Sequence, residues 1–421
     1  MNDVAPGIPL TIVEVPPPTF RSRAAAAESI DGGPRLIELL AEAENALRRG
    51  EYGAAALQTD AAEVSALWAL ATHWRRRSVI ALSGDAVVGL ATVRVPLRES
   101  LDSARIRIGV ASNAREHGIG GALIDVAERI AREEGRTRLR LRAPHVAGVP
   151  FDPSAGWIES PDGVGRVPAA AASSRFLTHH GWSLAGVERV SALDLQSGAA
   201  SQTEALDAQI AAALAAIEPE YALHVWSGPT PPEWLGGVAN LSADLPGDAP
   251  TGHAAAGESS WDVNRVASND VRIAAANRTA LVVGVEHVPT GTLVAFSELH
   301  LWRDHPNRPA LQGLTIVHPE HRGRRLGLLT KARLVRELRE RAPECPGIVT
   351  WSPESDARLV SLGERLGFRP IGVEGVWTKT LEPLPEEPET DEAAVTDAAT
   401  AADVAAVTDE PAAAGTPTAT D

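Results

Sequence analysis

Residues 317–327 read VHPEHRGRRLG, and residues 110–120 read VASNAREHGIG. Each stretch follows a strand-like run and leads into an amphipathic helical pattern. In both, an arginine comes five residues after the valine and a glycine comes ten residues after it. The first N–H groups of a helix have no intrahelical partner and lie at the positive end of the helix dipole, so they suit an anion. The sequence therefore predicts an anion-binding turn in each half of the chain.

The two halves also match on either side of these turns. Upstream, residues 87–95 align with residues 293–301, and both segments have the residue pattern of a strand. Downstream, His180-Gly-Trp182 aligns with Leu366-Gly-Phe368, and each is followed by a strand-like segment. Three blocks that agree in the same order indicate a tandem duplication.

Each copy shows the same order of patterns: a strand, two helices, a hairpin, a strand, a helix, a strand, a helix and a final strand. Such an order predicts a mixed α/β (α+β) sheet with helices on both faces. The predicted bounds are 1–195 for the first domain, 196–209 for a linker and 210–381 for the second domain. Residues 382–421 hold eleven acids and no Lys or Arg, with almost no large apolar side chains, and are expected to be a disordered acidic tail.

Composition narrows the function classes. The formal net charge of the 421 residues is −16, and most of it comes from the tail, so no basic surface for nucleic acid is expected. The single cysteine, Cys345, excludes a disulfide framework and a thiolate metal cluster. No apolar run approaches the about 18–20 residues that span a bilayer, and the N-terminus lacks a signal-peptide pattern. We therefore expect a cytoplasmic protein with no metal and no membrane or nucleic-acid partner.

Neither turn has the Lys-Ser/Thr of a P-loop or the full dinucleotide fingerprint, which argues against ATP, GTP and NAD. The spacing V-x-[P]-x-x-R-x-x-G-x-G instead resembles the acetyl-CoA signature of the GNAT superfamily of N-acetyltransferases. Outside this motif, three further stretches resemble tandem-GNAT proteins of actinobacteria: Trp226-Ser-Gly-Pro, Thr350-Trp351 and Leu366-Gly-Phe-Arg-Pro370. The resemblance covers roughly residues 10–380.

The resemblance implies two tandem GNAT domains, each with a sheet splayed between its fourth and fifth strands, and acetyl-CoA as cosubstrate. Two departures stand out: Ser112 replaces the usual proline in the first copy, and Arg325 replaces a usual glycine in the second. The residues that the resemblance assigns to the cofactor are Val110, Arg115, Glu116, His117, Gly118, Ile119 and Gly120 in the first copy, and Val317, Arg322, Gly323, Arg324, Arg325, Leu326 and Gly327 in the second.

Acetyl transfer to an amine needs a group that removes the ammonium proton. Glu298 and His300 share one face of a predicted strand by two-residue alternation, whereas the first copy has Thr92 and Arg94 at the matching positions. We therefore expect catalysis in the second domain, with Glu298 as the base and His300 as the second candidate. The alternative is that both side chains merely line a solvated face.

The tyrosine that commonly serves as the acid in this superfamily is absent, because Leu177 and Gly363 occupy its positions. Two functions remain open: an N-acetyltransferase acting on an amine of a small molecule or peptide, and a non-catalytic acyl-CoA-binding or sensing protein. A scaffold that recruits a basic partner through its acidic tail is a third. The protein is expected to be a monomer, as a pseudo-dimer of its own domains, or a homodimer.

Overall fold

The computed structural model describes residues 9–18, 33–52, 57–147, 154, 156–196, 200–243 and 261–382. The predicted acidic tail lies outside the described residues except for Glu382. In the first half the elements are β1 (Thr11–Val15), α1 (Gly33–Tyr52), α2 (Ala61–Ala69), β2 (Trp74–Ser83), β3 (Ala86–Pro96), β4 (Ser103–Val110), α3 (Ile119–Glu133), β5 (Arg138–Val146), β6 (Trp157–Glu159), β7 (Arg166–Pro168), α4 (Ala172–His179) and β8 (Ser183–Asp194).

In the second half the elements are α5 (Ala200–Ala215), β9 (Tyr221–Ser227), α6 (Pro232–Ala243), α7 (Val263–Ala275), β10 (Arg278–His287), β11 (Thr292–Trp302), β12 (Ala310–Val317), α8 (Leu326–Arg341), β13 (Gly347–Pro353), α9 (Ala357–Arg365) and β14 (Arg369–Thr380). The predicted order of elements is therefore present in both copies. Residues 200–209, expected in a linker, are helical and belong to α5. The short hairpin of β6 and β7 lies in the Gly- and Pro-rich insertion of the first copy.

Short polar residues start several helices. Asp60, Asp262 and Asp356 each precede a helix, and each side chain accepts a hydrogen bond from a backbone N–H three residues later. This bond satisfies one of the unpaired donors of the first turn and contributes about 1 kcal/mol per cap.

In the described part of the chain, twelve strands form one sheet in the order β1-β2-β3-β4-β5-β14-β8-β13-β12-β11-β10-β9. Read from the opposite edge, the order is the same except that each strand is replaced by its counterpart in the other copy. A pseudo-twofold axis therefore passes between β14 and β8, where Glu374 lies directly opposite Glu188. The expected mixed sheet in two tandem copies is confirmed.

The last strand of each copy is exchanged. β8, from the first copy, pairs with β13 of the second, and β14, from the second copy, pairs with β5 of the first. Each exchanged strand also contributes to the hydrophobic core of the other copy. Trp377 of β14 packs in the cluster around α3, and Leu193 of β8 packs in the cluster around α8. The domain bounds inferred from the repeat remain a prediction. Each half of the sheet is completed by a strand from outside the predicted bounds of its own domain.

The fourth and fifth strands of each copy are parallel and pair over only part of their length. In the first copy the pairing joins residues 103–106 of β4 to residues 138–141 of β5. In the second copy it joins only Ala310 and Leu311 of β12 to Ile348 and Val349 of β13. The C-terminal parts of β4 and β12 are therefore separated from their parallel neighbours, which opens the sheet beside each predicted turn. Among the described helices, none is both long and apolar enough to cross a bilayer.

The exchange predicts that a mutation near the C-terminus weakens the first copy. Trp377 is 1% exposed, so Trp377→Ala should lower the free energy of unfolding by about 3–5 kcal/mol. Limited proteolysis with mass spectrometry should then show new cuts first in residues 74–146. The control Trp157→Ala, at a side chain that is 38% exposed, should change stability by less than about 1 kcal/mol. New cuts confined to the second copy would contradict the exchange.

Candidate functional site

The turn of the second copy is built from backbone groups held by an arginine. After β12 ends at Val317, a single 3-10 turn follows, and Arg322 Nε donates a hydrogen bond of 3.1 Å back to the Val317 carbonyl. Gly323 and Arg325 then adopt left-handed conformations, with φ of 84° and 60°. Alternation of this kind turns successive N–H groups toward one side, and the free N–H groups of the first turn of α8 follow directly.

The first copy repeats this geometry. Arg115 Nε donates to the Val110 carbonyl at 3.3 Å, and Glu116 and Gly118 have φ of 66° and 75° before α3 begins. Glu116 and Arg325 are non-glycine residues in the left-handed region, which is uncommon and costs energy. Retention of this conformation in both turns indicates that the course of the backbone itself matters there.

In each copy, the helix that precedes the final strand lies close to the turn: α4 in the first copy and α9 in the second. A Cβ added at Gly120 would lie 3.0 Å from Phe176 Cε2, and one added at Gly327 would lie 3.2 Å from Leu362 Cδ1. Both glycines therefore lie where α3 and α8 begin, close to α4 and α9. These turns, with the opening of the sheet beside them, fit a phosphate-bearing cofactor whose chain enters between the separated strands.

Most residues assigned to the cofactor line one continuous cleft. In the first copy these are Val110, Arg115, Glu116, Gly118 and Gly120, and in the second they are Val317, Arg322, Gly323, Arg325, Leu326 and Gly327. Three others do not line it. His117 is exposed, Ile119 is buried in the core behind α3, and Arg324 is paired with Glu218 and Glu220 at 2.9 and 2.6 Å.

Glu298 and His300 lie together on β11, on the face that α6 and α7 cover. The two side chains are only 14% and 9% exposed, with 3.8 Å between Glu298 Oε1 and His300 Nε2. His300 lines the cleft, and its buried Nε2 has no hydrogen-bond partner in the described part of the chain. Glu298 is set behind it, where its Oε1 accepts a bond of 3.2 Å from the Leu314 N–H. The expected neighbours on the strand are therefore also neighbours in space.

The ionised form of Glu298 is favoured. Burial raises the pKa of this carboxyl, but His300, the Leu314 N–H and Arg272 lower it by more, so its pKa lies below the ordinary value of 4.5. Glu298 is therefore a carboxylate that is charged at neutral pH and almost enclosed, next to the imidazole of His300.

A bulge that the sequence reasoning missed makes room for Glu298. The pairing of β11 with β12 shifts register between Ser297 and Leu299, so that β12 carries an extra residue there. A Cβ on Gly313 would lie 2.5 Å from Glu298 Oε1, so only glycine leaves the space that the carboxylate fills. The signal was a glycine inside a strand pattern, which often marks a bulge or a close approach.

At the matching strand positions, Thr92 and Arg94, the first copy has no corresponding acid–base pair. Thr92, at the position of Glu298, lies in a buried network in which Arg76 contacts Ser78 and Glu44. Burial opposes the charge on Glu44, but Arg76 and Arg48 overcome it and lower its pKa to about 2. Leu47 of α1 packs directly on Gly109 of β4, so the helix covers this part of the strand.

Comparisons with known proteins agree with this geometry. Residues 39–151 match the family model described as acetyltransferase (GNAT) family. A tandem GNAT protein from the clavulanic acid biosynthesis pathway is 22% identical, with a TM-score of 0.66, over 89% of this chain and 100% of the other. The fold of this chain is that of a tandem GNAT protein. A GCN5-related N-acetyltransferase from Sphaerobacter thermophilus is 15% identical, with a TM-score of 0.53, over 90% of this chain and 98% of the other. The search of curated proteins found no match.

The positions of the usual GNAT tyrosine carry no acid. Leu177 is 2% exposed within the core of the first copy, and the backbone of Gly363 lies beside Phe368. Tyr221 lies at the turn of the second copy, where its hydroxyl is 2.9 Å from His321 Nδ1. Its place beside the predicted phosphate site separates it from the pair on β11.

Lys331, on α8, also lines the cleft, although the motif did not include it. Its side chain is buried, 3% exposed, and Nζ lies 5.5 Å from the centre of the Phe368 ring. Burial lowers its pKa from 10.5 to about 8. The charged form of this lysine therefore lowers the stability of the folded chain.

Replacing this lysine tests that cost. Because the unfolded chain retains the proton up to about pH 10.5 and the folded chain loses it near pH 8, the penalty is full below pH 8 and declines between pH 8 and 10.5. Lys331→Met should raise the free energy of unfolding at pH 7 by on the order of 2–3 kcal/mol, and the gain should shrink as the pH rises through that window.

The other lysine is a matched control. Lys379 Nζ is 2.6 Å from Glu128 Oε1, so Lys379→Met should destabilise the protein by leaving a buried carboxylate with a weaker partner. Chemical denaturation at several pH values measures both variants. Equal responses of the two variants would contradict this account of Lys331.

Proposed function

We propose that the protein is an acetyl-CoA-dependent N-acetyltransferase that acts on an amine of a small molecule or peptide, with the chemistry in the second copy. The observation that supports this most is the enclosed Glu298–His300 pair beside the separation of β12 from β13. The first copy has the same turn but no such pair. The single cysteine of the whole sequence, Cys345, is a free and buried thiol, which fits a reducing cytoplasm.

The residues of the second copy suit the cofactor. When bound, acetyl-CoA supplies the acetyl group as an activated thioester. The N–H groups of residues 323–327 would hold its phosphates at the positive end of α8, and the Arg325 guanidinium lines the same cleft. The apolar side chains of Leu311, Val349 and Trp351 form a buried cluster beside the separation of the strands, which limits access of water.

The amine must lose a proton before it can attack, and His300 is placed to accept it. His300 lines the cleft, whereas Glu298 lies behind it. We assign the proton to Nδ1 of His300, because Nε2 is buried and faces Glu298, and we assign the stabilisation of the resulting imidazolium to Glu298. This reverses the order expected from the sequence, in which Glu298 was the first candidate for the base.

One observation favours the alternative, a non-catalytic acyl-CoA-binding or sensing protein. Leu177 and Gly363 leave both copies without the usual acid to protonate the leaving thiolate. In the catalytic proposal, the proton that His300 has accepted can pass to the thiolate. His300 therefore acts first as the base for the amine and then as the acid for the leaving group.

Calorimetric titration with acetyl-CoA tests where the cofactor binds. Gly327→Glu places a negative charge at the start of α8 and should abolish binding to the second copy, while Gly120→Glu should affect only the first. Gly327→Ala and Gly120→Ala are the matched controls, because the added methyl carries no charge and meets only side chains: Leu362 and Val317 in the second copy, and the Phe176 ring in the first. Retention of full binding stoichiometry by Gly327→Glu would rule out the proposed site.

Kinetics test the pair itself. With a panel of a polyamine, an aminoglycoside and a peptide N-terminus as acceptors, free CoA release should fall by about 100-fold or more in His300→Gln and in Glu298→Gln, with the Kd for acetyl-CoA unchanged. Thr92→Val, the matching position in the first copy, should leave the rate unaltered. A parent protein that binds acetyl-CoA but never releases CoA with any acceptor would support the non-catalytic alternative.

A further inference from the structure

Lys331 is one of two lysines in a chain that otherwise uses arginine. Of the 39 lysines and arginines in the sequence, only Lys331 and Lys379 are lysines. Lys379 has a partner, because its Nζ is 2.6 Å from Glu128 Oε1. In the described part of the chain no carboxylate pairs with Lys331, whose Nζ lies 5.5 Å from the centre of the Phe368 ring. The ion pairs of the fold therefore do not explain a lysine at this position.

Lys331 lies on the side of α8 that faces α9. It follows Gly327 by four residues, so the two residues share one side of the helix, and Lys331 lies one turn, about 6 Å, farther along it. That side approaches Leu362 of α9 at Gly327, and all three residues line the cleft. The amine is therefore on the wall of the cleft, one turn beyond the predicted phosphate site.

Lys331 and His300 lie on opposite faces of the sheet where β12 separates from β13. Successive residues of a strand point to opposite faces. Ala310 of β12 packs in the cluster that contains Phe368 and much of α8, whereas the next residue, Leu311, packs in the cluster on the other face. His300 is directly opposite Leu311 in the pairing of β11 with β12 and so shares its face. The opening between the strands therefore has the imidazole on one face and the buried amine on the other.

Burial makes this amine available as a nucleophile. An amine attacks a carbonyl only in its neutral form, and burial lowers the pKa of Lys331 from 10.5 to about 8. About a tenth of the chains then carry the neutral amine at pH 7, against fewer than about one in a thousand at the ordinary pKa. An arginine at this position would keep its proton. The use of lysine here, in a chain of arginines, therefore fits a role that needs a neutral amine.

We propose that Lys331 is a site of self-acetylation, at which Nζ accepts an acetyl group from acetyl-CoA bound in the second copy. This inference rests on the proposed binding of acetyl-CoA there, and it does not depend on catalysis by His300. The neutral Nζ attacks the carbonyl carbon of the thioester, so that a C–N bond forms and the C–S bond breaks. The nitrogen loses one proton and the sulfur gains one, and the products are N-acetyl-lysine and CoA.

Self-acetylation would change the stability of the chain as well as its mass. The product is an amide, which does not pass the acetyl group on, so each chain is modified once. Acetylation removes the charge of Lys331, and burial of that charge lowers the stability of the folded chain. The acetylated chain should therefore melt at a higher temperature than the unmodified chain.

The test incubates the full chain with isotopically labelled acetyl-CoA, without an acceptor amine, and locates the label by mass spectrometry of the intact chain and of its peptides. We expect one labelled acetyl group per chain, on Lys331. The other lysine, Lys379, should carry little or none, although its side chain is more exposed, at 23%. A thermal melt of the same sample should show the rise in melting temperature.

Matched variants connect the label to its residue and to the cofactor site. Lys331→Met, which is expected to be more stable than the parent, should carry no label, and Lys379→Arg should be labelled as the parent is. Gly327→Glu should lose the label, whereas Gly120→Glu should retain it.

Calorimetric titration of the same preparation with acetyl-CoA separates this inference from the proposed function. Binding of acetyl-CoA without a label on Lys331 overturns the inference alone, and absence of binding overturns both. Equal labelling of Lys331 and Lys379, or a label on Lys331 that persists in Gly327→Glu, would assign the reaction to free acetyl-CoA in solution and would also overturn the inference.

Discussion

The antiparallel pairing of β8 with β14 joins the two copies into one sheet. On either side of it, each final strand fills the place left by the other: β14 completes the first half beside β5, and β8 completes the second half beside β13. Side chains reinforce the exchange: Arg189 of β8 makes a bidentate contact with Glu354 of the second copy at 2.9 and 2.8 Å, and a further one with Glu364 at 2.7 Å. The copies therefore fold as one body, and their two openings lie along one continuous cleft.

On this shared frame the two copies present different chemistry. Both retain the backbone turn that suits a diphosphate, because that site depends on φ angles and helix N–H groups more than on side chains. The second copy adds the enclosed Glu298–His300 pair, which depends on the missing side chain of Gly313. The first copy has instead Thr92 in a buried network and the covering Leu47. The two copies thus share the backbone turn and differ in the side chains on their strand faces.

The sequence predicted the repeat, the mixed sheet and both turns, because periodicity and the spacing of Arg115, Gly120, Arg322 and Gly327 are local features. It did not predict the strand exchange, since β8 and β14 have equivalent patterns and either would pair equally well in its own copy. The bulge at Gly313 also escaped prediction, because it depends on the register between strands. His300 and Glu298 were found by alternation, but their order of depth in the cleft needed the packing around them.

The most direct test of this division between the copies is a crystal structure of the full chain grown with acetyl-CoA. The account predicts the diphosphate on the N–H groups of residues 323–327 and the acetyl group between β12 and β13, within reach of His300. A cofactor held only by residues 115–120, with the opening between β12 and β13 closed, would contradict it. Such a result would move the chemistry to the copy that has no acid–base pair.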